Sequence, residues 1–108
     1  MSEADLLDAL EEGVVLTDGE RVTFVNRAAA VMLEVDPQLA VGRPLIWVLR
    51  DHRLEEALVE GRTLELETRG RRVRAVPTGG ALLLRDLTDL RRAQEDAREL
   101  LAVLSHEL

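Results

Sequence analysis

The stretch that decides the fold is VVLTDGERVTFVN, residues 14–26. Two runs rich in β-branched residues flank Asp18-Gly19, a dipeptide suited to the positive φ angles of a tight hairpin turn. The second run ends at Asn26, and the next residues, RAAAVML at 27–33, favour a helix. Asn26 is a good N-cap because its side-chain oxygen can accept a backbone N–H left free at the start of a helix. This stretch therefore predicts a β-hairpin that leads directly into a helix.

The segments on either side extend this pattern. Upstream, Ser2 has the position of an N-cap for a short helix predicted over Glu3 to Glu11, which Gly13 is expected to end. Downstream, Asp36-Pro37 breaks the Ala-rich helix, and a further helix is expected before Gly61 because apolar residues recur there at helical spacing. Those apolar residues are Leu54, Ala57 and Leu58.

After Gly61 the hydrophobic period changes to two. Leu64 and Leu66 alternate with glutamates, and Val73 and Ala75 alternate with arginines, which is typical of strands with one wet face. Turns at 69–70 and 77–80 separate three strands, so we predict an antiparallel meander. The arginines beside Gly70 are expected to pair with Glu65 and Glu67 across the hairpin. The whole pattern predicts an α+β domain with a five-stranded antiparallel sheet and short helices on one face.

The last segment, residues 89–108, has a different pattern. Its apolar residues follow heptad spacing and charged residues fill the other faces, which predicts a coiled-coil helix that pairs with a second copy of the chain. The heptad positions are Leu90, Ala93, Ala97, Leu100 and Leu104. No glycine, proline or capping residue follows, so we expect the natural helix to continue beyond Leu108.

Composition excludes several classes of function. Aromatic residues make up 2% of the chain and the net charge is −7, which argues against a surface that binds nucleic acid or anionic lipid. The absence of cysteine excludes disulfides, thiolate metal sites and thiol nucleophiles. No constellation for a metal or a flavin is visible. No apolar run is long enough to span a membrane, so any membrane anchor would lie outside this sequence.

The order of these elements resembles that of a PAS domain. The strand, Asn26 and the Ala-rich helix are followed by Gly-Arg-Pro-Leu at 42–45 and by a meander that ends in Arg85-Asp86-Leu87-Thr88. The last three residues are similar to the family's Asp-Ile-Thr-type motif, which joins the final strand to the output helix. The resemblance covers residues 3–88 and implies that residues 1–88 form a PAS sensor domain.

Residues 89–108 resemble the start of the dimerisation and phosphoacceptor helix of sensor histidine kinases. The sequence Leu-Ser-His-Glu-Leu at 104–108 matches the front of that family's H-box. The resemblance implies a sensor joined to the truncated start of a transmitter, with the ATP-binding domain elsewhere. ATP and Mg²⁺ would be bound by that missing domain, so the fragment should be inactive alone and needs no cofactor of its own.

The resemblance gives His106 and Glu107 defined roles. His106 would be the phosphoacceptor, since a neutral imidazole is nucleophilic and has an ordinary pKa of about 6.5. Glu107 would orient the ring and accept its proton as general base. The alternative is a solvated histidine beside a routine glutamate on a coil surface.

Other candidate residues have two interpretations each. Asp86 and Thr88 would couple the sheet to the coil as a hinge, or would only cap the helix. Met32 and Trp47 would line a ligand pocket, or would only fill the core. His52 would be a haem ligand, but its charged neighbours Asp51 and Arg53 favour a surface histidine.

The residues and the resemblances leave three candidate functions for this chain. In the first, the fragment belongs to a two-component sensor histidine kinase, forms a homodimer through the coil and the N-terminal helix, and feeds a phosphorelay to a response regulator. In the second, it is a ligand-free PAS interaction module that feeds another output domain. In the third, it is a stand-alone sensor of an unknown small molecule. The fragment is expected in the cytoplasm, and membrane anchoring of the parent protein stays open.

Overall fold

The computed structural model describes residues 2–107, apart from the side chain of Glu107. The elements in this part of the chain, in order, are α1 (Glu3–Asp8), β1 (Gly13–Asp18), β2 (Arg21–Val25), α2 (Arg27–Leu33), α3 (Pro37–Ala40), α4 (Leu45–Leu49), α5 (His52–Glu60), β3 (Leu64–Thr68), β4 (Arg71–Thr78), β5 (Ala81–Asp86) and α6 (Thr88–Glu107).

The strands form one five-stranded sheet in the order β2-β1-β5-β4-β3, and every pairing is antiparallel. The meander of β3, β4 and β5 pairs neighbour with neighbour, and β5 then lies beside β1 in the centre of the sheet. Helices α2 to α5 connect the two edge strands. The predicted α+β architecture is therefore confirmed.

The hairpin of β1 and β2 forms as predicted, with its turn displaced by one residue. Thr17 pairs with Val22 and Asp18 with Arg21, so Gly19 and Glu20 make the turn. Gly19 has a φ of 62°, a left-handed conformation that costs glycine little because it has no Cβ.

The core lies between the sheet and helices α2 to α5. Alternate residues of the strands face the helices, as the period of two requires, and the largest fully buried side chains are aliphatic apart from Asn26. Burial of each such leucine or valine stabilises the fold by about 1.5–3 kcal/mol. At Gly13 a Cβ would lie 3.1 Å from the Ala29 Cα, so α2 packs directly on the start of β1.

Asn26 is buried completely and uses both ends of its amide. Its Oδ1 accepts hydrogen bonds from the backbone N–H of Ala29, at 2.9 Å, and of Val14, at 2.8 Å. The first of these is the predicted N-cap of α2. Its Nδ2 donates to the carbonyl oxygens of Leu7 and Glu12, at 2.8 and 2.9 Å. A single side chain thus joins the N-terminal segment, β1 and α2.

Helix α1 is shorter than predicted. Ser2 and Asp5 form a capping box, in which each side chain binds the backbone N–H of the other residue at 3.2 Å. The helix ends at Asp8, before the predicted end at Glu11, because the chain must turn to place the Glu12 carbonyl on Asn26 and Gly13 at the start of β1.

Helix α6 leaves the sheet and projects into solvent. Its 20 residues extend about 30 Å, and the molecule is accordingly elongated, with principal extents of 59 × 33 × 21 Å. From residue 92 to residue 106 every side chain is exposed. The helix therefore carries its apolar stripe away from the domain.

Candidate functional site

A polar cluster joins the end of β5 to the start of α6, at the predicted residues Asp86 and Thr88. The Asp86 Oδ1 accepts hydrogen bonds from the backbone N–H of Thr88, at 2.9 Å, and from its hydroxyl, at 2.5 Å. The Asp86 Oδ2 accepts one from Arg71 Nη1 on β4, at 2.8 Å. The carboxylate thus binds the first residue of α6 and the neighbouring strand at once.

The backbone of β4 completes this junction. The N–H of Leu87 donates to the carbonyl of Arg72 at 2.7 Å, and the N–H of Arg72 donates to the Thr88 hydroxyl oxygen at 3.0 Å. Leu87 itself is buried, with 7% of its surface exposed. The start of α6 is therefore fixed to β4 as well as to β5, which sequence reasoning did not specify.

The environment of Asp86 keeps its carboxyl group ionised. Burial raises its pKa, but hydrogen bonds from Thr88 and from Arg71, together with the charge of Arg71, outweigh this effect. The resulting pKa of Asp86 lies below its ordinary value. The junction thus contains a charged acceptor at neutral pH.

The basic patch at the β3–β4 hairpin pairs only in part as predicted. Arg74 lies directly across from Glu65 and Arg72 lies diagonally from it, with nitrogen–oxygen distances of 2.7 and 3.9 Å. Arg71 instead binds Asp86, and Arg69 donates to the Leu49 carbonyl at 2.8 Å, where it closes the end of α4. The divergence arises because Arg71 is on the same face of β4 as the buried Val73, whereas Arg72 and Arg74 share the outer face with Glu65. Arg69 belongs to the turn between the two strands.

His106 lies far from this junction. It follows Thr88 by 18 residues on α6, which corresponds to about 27 Å, and its side chain is exposed. The predicted site residues therefore lie at two separate positions. Asp86 and Thr88 are at the start of α6, and His106 is near its end. The side chain of Glu107 lies outside the described part of the structure, so its predicted role stays a prediction.

Met32 and Trp47 do not come together. Met32 is in the core with 5% of its surface exposed, whereas Trp47 is 44% exposed. On α4 the buried residues are Leu45, Val48 and Leu49, at the spacing of one helical face, and Trp47 falls on the other side. Its ring stacks under the guanidinium of Arg43, whose Cζ lies 4.9 Å from the ring centroid. Core filling is therefore confirmed for Met32 and wrong for Trp47, and a ligand pocket that involves these residues stays a prediction.

A surface cleft that the sequence did not reveal lies where α2 and α3 meet the edge strand β2. Its volume is about 550 Å³. Its walls are mainly apolar, with charged residues at one end; they include Phe24, Val31, Val35, Val41, Asp8 and Arg27. Ala30 of the Ala-rich helix α2 also lines this surface cleft.

His52 lies at the surface of the domain. His52 is exposed at the first position of α5, behind the N-cap Asp51. Within residues 2–107 no group of three or more His, Cys, Asp or Glu could hold a metal ion. None of the helices in this part of the chain has the length and hydrophobicity needed to cross a lipid bilayer.

Comparison with known proteins places this fold. The family model "PAS domain" matches residues 4–74. The structure is similar to the photoactive yellow protein domain of the sensor histidine kinase Ppr from Rhodospirillum centenum, with a TM-score of 0.56 and 20% identity over 79% of this chain and 93% of that one. It is also similar to the PAS domain of nitrogen regulation protein NR(II) from Vibrio parahaemolyticus, with a TM-score of 0.50 and 17% identity over 80% and 99%.

A domain of an HTR-like protein from Haloarcula marismortui is 28% identical over 73% of this chain and 100% of that domain, with a TM-score of 0.47. A comparison with curated protein sequences gives no significant match. The family model spans 71 of the 108 residues, from 4 to 74 inclusive. Together with the strand order 2-1-5-4-3 and the helix that follows β5, this match shows that the chain belongs to the PAS-domain family.

Proposed function

We propose that this chain is the sensor domain and the first part of the dimerisation helix of a sensor histidine kinase, with His106 as the phosphoacceptor. One observation carries the proposal. Helix α6 runs without a break from the fixed junction at Thr88 to Glu107, and it exposes His106, the central residue of the sequence Leu-Ser-His-Glu-Leu at 104–108, to solvent.

The position of His106 on α6 suits attack on a nucleotide held by another domain. His106 follows Leu104 by two residues, or about 200° around the helix, so it lies on the side opposite the apolar stripe. Leu100 and Leu104 of that stripe are 60% and 49% exposed in the single chain. If the stripe pairs with a second copy, His106 faces outward, where an ATP-binding domain can reach it.

The proposed step is a phosphoryl transfer with Mg²⁺-bound ATP as the donor. A ring nitrogen of neutral His106 forms the new bond to the γ-phosphorus, and the bond to the β–γ bridging oxygen breaks to release ADP. The proton on the other ring nitrogen passes to Glu107. A response-regulator aspartate would then accept the phosphoryl group.

Regulation would pass through Asp86 and Thr88. Their hydrogen bonds join the sheet to α6, so a change in the sheet can alter the populations of two arrangements of the paired helices. The solved PAS structures support this role only through their fold, at 17% and 20% identity, although one of them comes from a sensor histidine kinase. Cytoplasmic location and a homodimer are part of the same proposal.

The test is autophosphorylation of the longer protein that contains this chain, with [γ-³²P]ATP. Wild type should acquire label that is stable to alkali and labile to acid, and His106→Gln should acquire none. His52→Gln replaces the chain's second histidine and is the matched control, which should label as wild type does. Acid-labile label that persists in folded His106→Gln protein would show that His106 is not the acceptor.

A PAS interaction module that feeds a different output is the second candidate function. The exposed apolar stripe of α6 favours it, because the stripe requires only a second helix and makes no use of His106. The absence of label in both wild type and His106→Gln, with folded dimeric protein, would support this alternative.

A further inference from the structure

A single carboxylate, that of Glu65, connects the edge strand β3 to the first turns of α6. The Glu65 Oε2 lies 3.6 Å from Nη2 of Arg91 on α6. The Oε1 accepts two hydrogen bonds from Arg74 on β4, from Nε at 3.0 Å and from Nη2 at 2.7 Å. Arg72 is also within 3.9 Å of Oε2. Three guanidinium groups from two elements thus share one acidic group.

Arg91 lies where a contact with the sheet can limit the direction of α6. The hydrogen bonds that the Leu87 N–H and the Thr88 hydroxyl oxygen make with the backbone of Arg72 fix where the helix starts, but a helix fixed at one end can still pivot. Arg91 lies about one turn further along, and beyond it every side chain from 92 to 106 is exposed. In this part of the chain, its contact with Glu65 is therefore the outermost ion pair between α6 and the sheet.

The ion pair between Glu65 and Arg91 is weak enough to break and re-form. Side chains of Glu65 and Arg91 are 31% and 42% exposed, and ion pairs at such positions are weakened by solvent and salt. Arg74 is the stronger partner, with two short hydrogen bonds, and this bonding is the main cause that lowers the pKa of Glu65. Glu65 is thus ionised at neutral pH, and its distance from Arg91 can change without unfolding.

Strand β3 is well placed to move this carboxylate. It is an edge strand paired only with β4, and Gly61, which ends α5, connects it to the helical layer through residues 61–63. Gly61 has a φ of 68°, and its N–H and that of Arg62 both donate to the Ala57 carbonyl, so the end of α5 is joined closely to the start of β3. A displacement of α5 over the core would therefore reach Glu65 through three residues.

We propose that the Glu65–Arg91 contact is a latch that sets the direction of α6 relative to the sheet, and that movement of β3 opens or closes it. The latch rests on α6 being the output element of the proposed function. It does not rest on phosphorylation of His106.

The test is a distance measurement by pulsed electron paramagnetic resonance between two spin labels. The chain has no cysteine, so Val31→Cys on α2 and Arg98→Cys on α6 give two unique labelling positions, both exposed. An excess of unlabelled chain keeps label pairs within one molecule. A tilt of about 20° would displace residue 98 by about 5 Å, because it lies about 15 Å along the helix from Thr88.

Glu65→Gln and Arg91→Gln should each broaden or shift the distance distribution, and the double variant should do no more than either single one. Glu67→Gln and Arg92→Gln are matched controls, since each removes the same charge one or two residues away and neither makes an ion pair among the described residues; both should leave the distribution unchanged. If Glu65→Gln does not fold, Glu65→Asp keeps the charge with a shorter reach and should still broaden the distribution.

Unchanged distributions in folded Glu65→Gln and Arg91→Gln would overturn the latch, as would equal broadening in Arg92→Gln or additive effects in the double variant. These outcomes are independent of any phosphorylation assay. Failure of the latch and failure of the kinase proposal are therefore distinguishable.

Discussion

The guanidinium of Arg71 and the carboxylate of Asp86 are joined by a 2.8 Å hydrogen bond across β4 and β5. The other oxygen of the same carboxylate binds both the backbone N–H and the hydroxyl of Thr88. Asp86 therefore belongs to the sheet and to the start of α6 at the same time. A change in the alignment of β4 and β5 would therefore be felt at the first residue of α6.

Replacement of Asp86 by alanine should loosen this junction while leaving the core intact. The variant loses the Thr88 and Arg71 hydrogen bonds, and we expect a loss of about 1–2 kcal/mol in the free energy of unfolding. Amide hydrogen exchange at the first turn of α6 should rise more than exchange in β1. If the proposed kinase function is correct, autophosphorylation of that kinase should change more in Asp86→Ala than its melting temperature does.

Asp89→Ala is the control for this variant, because Asp89 is an exposed acid in the same turn of α6. This substitution should lower the free energy of unfolding by only about 0.3–1 kcal/mol, because it removes the small favourable interaction of an acid with the helix dipole. Equal effects of Asp86→Ala and Asp89→Ala on exchange in α6 would contradict the anchoring role of Asp86.

The contribution of Asp86 to stability should depend on pH. Its pKa in the folded protein lies below the ordinary value of about 3.9, so the folded state binds fewer protons than the unfolded state around that pH. The stabilisation is thus present above pH 4 or so and is lost as pH falls through the folded pKa. The destabilisation by Asp86→Asn should be largest near neutral pH and should shrink in acid.

Urea denaturation of wild type and Asp86→Asn at about pH 6 and about pH 3 measures this difference. Wild type alone is not sufficient, because hydrogen bonds from Arg53 and Arg74 also lower the pKa of Asp51 and of Glu65. The gap between the two proteins isolates Asp86. A gap that stays constant with pH would show that its charge contributes nothing.

Asn26 is predicted to be the most sensitive polar residue of the domain. Asn26→Ala leaves four buried or half-buried backbone groups without their partner, and we expect a loss of about 3 kcal/mol or more. Asn26→Asp keeps the acceptor for Val14 and Ala29 but loses both donated hydrogen bonds. It should therefore release the N-terminal segment selectively.

Limited proteolysis and urea denaturation together distinguish these variants. Asn26→Asp should be cleaved faster within residues 2–12, whereas Gln38→Ala, which alters an exposed amide, should behave as wild type in both experiments. Protection of the N-terminal segment in Asn26→Asp would show that the bonds to the Leu7 and Glu12 carbonyls are dispensable.

Local signals in the sequence predicted most of the fold. Asn26, the glycine turns and the change of hydrophobic period after Gly61 each determine structure within a few residues. The helices, turns and strands that they specify can therefore be inferred without the tertiary structure. The order of the elements then gave the PAS resemblance. The end of α1 could not be inferred in this way, because the Glu12 carbonyl is bound by Asn26 from another element.

The candidate sites also contain features that the local sequence predicts and features that depend on the tertiary structure. The capping role of Asp86 on Thr88 is local and could be anticipated, whereas its choice of Arg71 depends on the register of β4 against β5. Trp47 was misplaced although the signal was present: Leu45, Val48 and Leu49 already complete one helical face of α4. The Glu65–Arg91 contact joins residues 26 positions apart through the geometry of α6, and no sequence pattern marks it.

The apolar stripe of α6 leads to the final prediction, that the chain self-associates through this helix. Leu100 occupies a core position of the heptad and Ala102 occupies the outermost position, and both are exposed in the single chain. Leu100→Glu places a charge at the pairing surface of both copies and should raise the dimer dissociation constant at least about tenfold. Ala102→Glu adds the same side chain on the solvent face and should leave the constant unchanged. Sedimentation equilibrium measures both, and a concentration-independent monomer in wild type would remove the coiled coil from the proposed mechanism.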